Sequence, residues 1–269
     1  MVERKVRNLK VRGSIPLCST KETNLNQEKM KRRLTVFFVA VAAVVAMASC
    51  KKVDPEVVYQ AIATAKQTST GGCFFAVDDS TAIIPQNQIK MDTPETRVLL
   101  LYTITGSGAP ISGYKFSYAG NVSNVSQIRS KWPEESFGSD ELDAENYGGD
   151  KVGLYFDGYF PPTMIEDGYL NVHFAYEATV GSEHYIHLVT NVDGDPYKVE
   201  LRHDKNGDTQ PSSVYYESVI AFPLEFLQDT EGKTVKLTLV WNSLTSGKKE
   251  SVQFDYKSRT DWPEWPDEE

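Results

Sequence analysis

Tyr169-Leu170-Asn171-Val172-His173-Phe174-Ala175-Tyr176 alternates with period two: Leu170, Val172, Phe174 and Tyr176 share one side of an extended chain. That is the signature of a strand with one face on a core. Six similar runs surround it within 151–258: 152–156, 184–190, 197–203, 215–222, 235–241 and 251–256. Turn clusters separate them, among them Asp157-Gly158, Glu166-Asp167-Gly168, Asp193-Gly194-Asp195-Pro196, Asn206-Gly207 and Ser246-Gly247. Short strands at such regular spacing predict an antiparallel β-sandwich over 151–258. Val199/Leu201 and Leu237/Leu239/Trp241 are its further core-facing positions. Helix is expected only as a turn near Pro223–Leu227.

Upstream, 58–128 holds a second series of short strands. Tyr59 to Lys66 alternates, Cys73–Val77 and Thr81–Pro85 follow, and Arg97–Thr105 is apolar on both faces, so it reads as a central strand. Tyr114–Tyr118 and Val122–Ile128 complete the set, which suits a small Greek-key barrel of the OB type. The expected class is therefore all-β, a barrel followed by a sandwich. Between them, 129–150 crowds seven acidic residues among glycines and reads as a solvated linker. The end, 259–269, is dominated by Trp, Pro and acid and reads as an extended, disordered tail.

The start of the chain supplies an address. Lys29-Met30-Lys31-Arg32-Arg33 is basic, Leu34 to Ala48 carries no charge, and Ser49-Cys50 follows. This is the order of a secretory signal, and its apolar run is short for a spanning helix, which needs about 20 residues. Small residues in Met47-Ala48-Ser49 directly before Cys50 match a bacterial lipobox. The expectation is a signal peptide over 30–49, acylation of Cys50, a short tether over 50–57, and a true start at Met30, with 1–29 upstream of it. The chain from Cys50 onward has 18 Lys+Arg and 34 Asp+Glu, a net charge of −16. So acidic a surface disfavours nucleic acid and anionic headgroups, leaving acyl chains on Cys50 as the attachment to a membrane. Cys73 is then the only thiol left, so no internal disulfide is possible.

With these parts in order, the chain resembles the NigD-like lipoproteins of Bacteroidetes. The likeness rests on Cys50, on 74–81 (Phe-Phe-Ala-Val-Asp-Asp-Ser-Thr), on Arg97–Leu100, and on 167–176, 184–189 and 200–204. It implies an outer-membrane lipoprotein of the cell envelope with an OB-type domain before a β-sandwich, tied by family name to bacteriocin operons. It transfers no functional residue beyond the lipidated cysteine. The acidic linker and the Trp-Pro tail depart from the family pattern.

Candidate chemistry is sparse. On a strand, His184 and His187 point to opposite faces and cannot share a metal, whereas His173 and His203 could converge with Asp204. Asp204, Asn206 and Asp208 place oxygens at alternate positions as a calcium loop does, but Thr209 and Tyr215 stand where Gly and Glu are wanted, and a strand-connecting turn on Asn206-Gly207 explains them more simply. Trp132, Trp262 and Trp265, each followed by Pro, could stack on a sugar or seat in a partner's groove, or pack on the protein's own sheets. No nucleophile elbow, zinc-protease, phosphate-loop or dinucleotide motif is present in the chain from Cys50 onward. The reading is a non-enzymatic envelope module without cofactor, binding a protein, peptide or glycan; the alternative is a β-sandwich hydrolase acting on an envelope glycan with paired acids.

Overall fold

The computed structural model describes residues 57–264 except 69–70, 88, 92 and 212–213. The signal segment, Met30, Cys50 and Trp265 lie outside the described residues. Among those described, no helix is long and apolar enough to cross a membrane.

The first domain is a closed barrel of β1 (Tyr59–Gln67), β2 (Cys73–Asp78), β3 (Thr81–Pro85), β4 (Glu95–Ser107) and β5 (Phe116–Gln127). Their order around the barrel is 1-2-3-5-4, and β4 closes against β1. Only β3 and β5 run parallel, which is the OB arrangement. Ala63, Phe75, Val77, Ile83, Val98, Leu100 and Tyr102 fill the inside. The two runs expected at 114–118 and 122–128 are one strand, β5, that bends around the barrel. Gly120 makes the bend possible: a Cβ there would stand 2.9 Å from the Thr103 carbonyl oxygen and 3.0 Å from Ile83.

The second domain is a sandwich. Residues 129–150, expected to be a solvated linker, instead supply β6 (Arg129–Ser130), β7 (Glu134–Glu135) and the helix α1 (Asp140–Tyr147). Ser139 caps α1 by accepting from the Leu142 N–H, and Asp140, Glu141 and Asp143 favour its positive first turn. The helix escapes detection because it has no apolar face; Asp143, its one buried residue, accepts instead from Ser136 Oγ and the Phe137 N–H, both at 2.7 Å. The other strands are β8 (Gly153–Leu154), β9 (Met164–Glu166), β10 (Tyr169–Ala178), β11 (Tyr185–Thr190), β12 (Lys198–Asp204), β13 (Val214–Pro223), β14 (Val235–Asn242) and β15 (Lys249–Tyr256).

One sheet has the order β6-β13-β10-β8, with β9 also on β10; the other has the order β15-β14-β12-β11-β7. The sandwich is mixed, not purely antiparallel. Between β12 and β14 the chain crosses to the opposite sheet as β13, so it returns to run parallel to β12. β6 and β7 are likewise parallel to their neighbours, one on each sheet, so 129–135 stitches the two sheets along one side. Leu170, Val172, Phe174 and Tyr176 enter the core with Leu188, Val199, Leu201, Phe222, Leu237, Leu239 and Trp241.

The other face of β10 is buried as well. Tyr169, Asn171 and His173 are each at most 4% exposed, because the barrel and the 155–165 segment cover them. At the junction Ile62 and Ile128 meet Tyr169 and Ala221, with Leu99, Val219 and Trp262 around them. Fully buried Arg97 donates to Asn171 Oδ1 at 3.2 Å and to Thr64 Oγ1 at 2.5 Å. The tail is not free up to Glu264, since Arg259 pairs with Glu95 and stacks 4.5 Å from the Trp262 ring. The two domains are thus joined by apolar packing and buried polar contacts together.

Candidate functional site

The aromatic surface of the sandwich follows from the stitch at 129–137. Lys131 reaches back from the end of β6 to the carbonyl of Ile186 (3.2 Å) and to His187 Nδ1 (2.8 Å). Glu134 Oε1 stands 2.9 Å from the same ring nitrogen, which either donates to it or accepts from Lys131, and Glu134 pairs with Lys131 directly (3.0 Å). Burial pushes the Glu134 carboxyl up, but hydrogen bonds from His187 and Lys131 outweigh it and hold the group below the usual carboxylate range. This clamp seats the segment beside β11 and sets a row of rings in contact. Phe137 meets Tyr147 (5.5 Å), Tyr147 meets His187 (5.4 Å), and His187 meets Tyr185 (6.5 Å). Phe137 and Tyr185 are 53% and 43% exposed. Five residues before Phe137, half-buried Trp132 packs edge-on against Phe226, which is 73% exposed. Exposed rings held rigidly by their neighbours are what binding surfaces use, since little side-chain freedom is lost on contact.

The three tryptophans therefore have different surroundings. Trp132 supports the exposed Phe226. Trp262 lies against Tyr169 (5.2 Å) and Arg259 at the domain junction, so its indole packs on the protein's own structure. Trp265 is beyond the described residues.

The histidines pair in a way that strand parity does not suggest. His184 and His203, on adjacent strands β11 and β12 or just before them, meet at 2.9 Å. His173, which could have converged with His203, lies elsewhere, between the Pro161 carbonyl and Glu217, at 2.8 Å from each. The β11–β12 register, which pairs Ile186 with His203, brings His184 diagonally onto that ring. Knowing where the 191–197 turn closes would have been enough to find it. Asp204 and Asp208 do not converge: Asp204 accepts from the Asn206 N–H (2.7 Å), and Asp208 from Thr179 N–H and Oγ1 (2.8 Å each). Asn206 at φ +47° and Gly207 at +78° turn the chain there. These oxygens serve the turn and the neighbouring loop.

An acid pair does exist. Asp140 and Glu200 both bind Arg202 Nη2, at 2.5 and 2.7 Å, and both bind Lys249, at 2.7 and 2.9 Å. They line a cavity of about 140 Å³ under the start of α1. Hydrogen bonds from Lys249 and Arg202 hold the Asp140 carboxyl below the usual range. A glycosidase needs one acid of its pair protonated to expel the leaving group. An Asp140 held as the anion has the wrong bias for that role.

Residues 135–256 match the model of the NigD-like C-terminal beta sandwich domain. No curated protein matches the sequence. Among solved structures, a protein from Parabacteroides distasonis described as toxin related is 25% identical, with a TM-score of 0.58 over 75% of this chain and 94% of that one. A protein of unknown function from Bacteroides vulgatus is 18% identical, with a TM-score of 0.56 over 74% of this chain and 90% of that one. A NigD-like immunity protein from Bacteroides caccae is 16% identical, with a TM-score of 0.49 over 74% of this chain and 96% of that one. These first two matches cover about three quarters of this chain, more than the sandwich alone. Residues 135–256 of this chain are thus similar to the NigD-like C-terminal beta sandwich domain.

Proposed function

We propose that the chain is an accessory protein of the cell envelope, held to the outer membrane by acyl chains on Cys50, that binds a partner and performs no chemistry of its own. The observation that carries this reading is the row of rings from exposed Phe137 through half-buried Tyr147 and His187 to exposed Tyr185, with a further exposed ring, Phe226, held by Trp132, on an otherwise strongly acidic protein. Exposed aromatic side chains fixed by their neighbours suit contact with a protein, peptide or glycan. The two carboxylates that line a cavity together, Asp140 and Glu200, are both bound by Arg202 and Lys249.

Two measurements test it. Cys50→Ser should move the chain from the membrane fraction to the soluble fraction, and a variant that stays with the membrane would sink the anchor. The chain captured on intact envelopes should lose its partner when Phe137 and Tyr185 become alanine. Equal capture by the double variant, or turnover of envelope glycan by the wild type, would overturn the binding reading.

A further inference from the structure

The pairing of His184 with His203 has more acceptors than two neutral rings can serve. Lys151 offers only a carbonyl oxygen to His203 Nδ1 at 2.8 Å, so that nitrogen carries a proton. A neutral His203 then presents a lone pair at Nε2, and His184 must donate to it from Nδ1 across 2.9 Å. The remaining nitrogen of His184, Nε2, faces Asp208 Oδ2 at 3.2 Å and Ser182 Oγ at 3.1 Å. If His184 is neutral, that nitrogen is a lone pair aimed at a carboxylate, and only the Ser182 hydroxyl can satisfy it. With a second proton on His184, Nε2 donates to Asp208, and Ser182 turns its hydrogen to the Thr179 carbonyl, 2.9 Å away. One proton therefore selects between two complete hydrogen-bond patterns.

We propose that His184 is a proton-operated latch between the turn after β10 and the loop after β12, closed when His184 is an imidazolium and loosened when it is neutral. Asp208 belongs to the loop after β12, whereas Thr179 and Ser182 belong to the turn that leads into β11. The charged groups around the pair pull both ways: Arg129 and Lys131 line the pocket beside His184 and oppose a second proton, while Asp208 and the Tyr176 ring favour the closed state. Tyr176 of β10 stacks flat on His184 at 4.8 Å and sits 4.7 Å from His203. The Thr179 N–H and hydroxyl hold Asp208 far below the usual carboxylate range, so the anion is always there to receive the proton. Around His203, Asp150 and Lys205 bring opposite charges that pair with each other at 3.3 Å. The two nitrogens of His203 face only the Lys151 carbonyl and His184, whereas His184 Nε2 faces the Asp208 carboxylate, so the added proton rests on His184. Burial, with the neighbouring His184 ring, lowers His203 to about 4 in the same sense. Tyr185, one of the exposed rings, follows His184 directly, which ties the latch to the binding face.

The test is a histidine side-chain nitrogen NMR titration of the wild-type chain, Asp208→Asn and Ser182→Ala. In the wild type the closed state shows both His184 nitrogens protonated while His203 keeps a single proton on Nδ1. Asp208→Asn retains an oxygen for the Thr179 N–H but removes the charge, and should weaken proton binding at His184 at least about tenfold. Ser182→Ala removes the donor of the open state and should strengthen it. Amide exchange at Thr179 should accelerate as His184 loses its proton. A His184 titration unmoved by Asp208→Asn, or Thr179 exchange that ignores the titration, would overturn the latch.

Discussion

Arg259 grips Glu95 through Nη1 and Nη2, each at 2.6 Å, joining the last residues of the described chain to the barrel domain. Both side chains are nearly buried, and Tyr169 adds a 2.8 Å hydrogen bond to the same carboxylate. Removing the cation leaves that carboxylate desolvated with one neutral donor. Arg259→Ala should therefore cost about 3–5 kcal/mol in urea unfolding. A Glu95→Gln, Arg259→Met pair should recover a large part of that loss, because it removes the stranded charge.

Stability should depend on pH in two opposed windows. Glu166 is raised to about 8, first by burial and then by Asp78, Asp79 and Asp167, against the pull of Arg97. Its folded carboxyl binds a proton more tightly than the ordinary 4.5, so its contribution is whole below that value and is lost as pH rises through about 8. His203 goes the other way. Its folded ring prefers to be neutral, so its contribution is whole above 6.5 and is lost as pH falls through about 4. The two oppose each other between 4.5 and 6.5, and only Glu166 acts of the two between 6.5 and 8. The difference between wild type and Glu166→Gln, measured by denaturant unfolding, should therefore change steadily across pH 6.5–8. A difference that stays flat there would place Glu166 in its ordinary range.

Gly148 ends α1 at φ +82°, and a Cβ there would lie 2.5 Å from both Asp204 Cα and the His203 carbonyl oxygen. Backbone cannot yield as a flexible side chain does. Gly148→Ala should cost at least about 3 kcal/mol, strain and overlap together. Gly113, at φ +88° with nothing within 4 Å of such a Cβ, provides the control. Its alanine variant should lose only about 1–2 kcal/mol, and thermal unfolding of both would separate overlap from strain.

The architecture is legible in the sequence because period-two alternation and turn residues are local signals, and β10 carries both clearly. What the pattern hides is burial without apolar chemistry. Asn171 and His173 read as outward-facing, yet they are covered because Arg97, Thr163 and Pro161 satisfy their polar atoms. The acidic segment 129–150 reads as solvent-loving for the same reason, although Asp143, Lys131 and Glu134 each have buried or half-buried partners inside the domain. The His184–His203 contact depends on strand register and loop closure, which composition does not encode. The tail reads as free because Trp and Pro alone do not specify a docking place; Arg259 finds one only once Glu95 is buried.

Trp262 and Phe226 should separate folding from binding. Trp262 fills the junction between Arg259, Tyr169 and Gly168, where even a Cβ on Gly168 would come within 2.7 Å of the indole. Its alanine variant removes half-buried aromatic area that holds the two domains together, and should cost about 2 kcal/mol while leaving envelope capture intact once folded. Phe226 has most of its surface in water, so Phe226→Ala should change stability by no more than about 0.5 kcal/mol. Its cost should appear as weaker capture, because the Trp132 edge contact holds that ring in place for a partner. Paired measurements of unfolding and capture decide between the alternatives. If Trp262→Ala loses capture at full stability while Phe226→Ala keeps it, the binding surface belongs at the domain junction and not on the side of the sandwich.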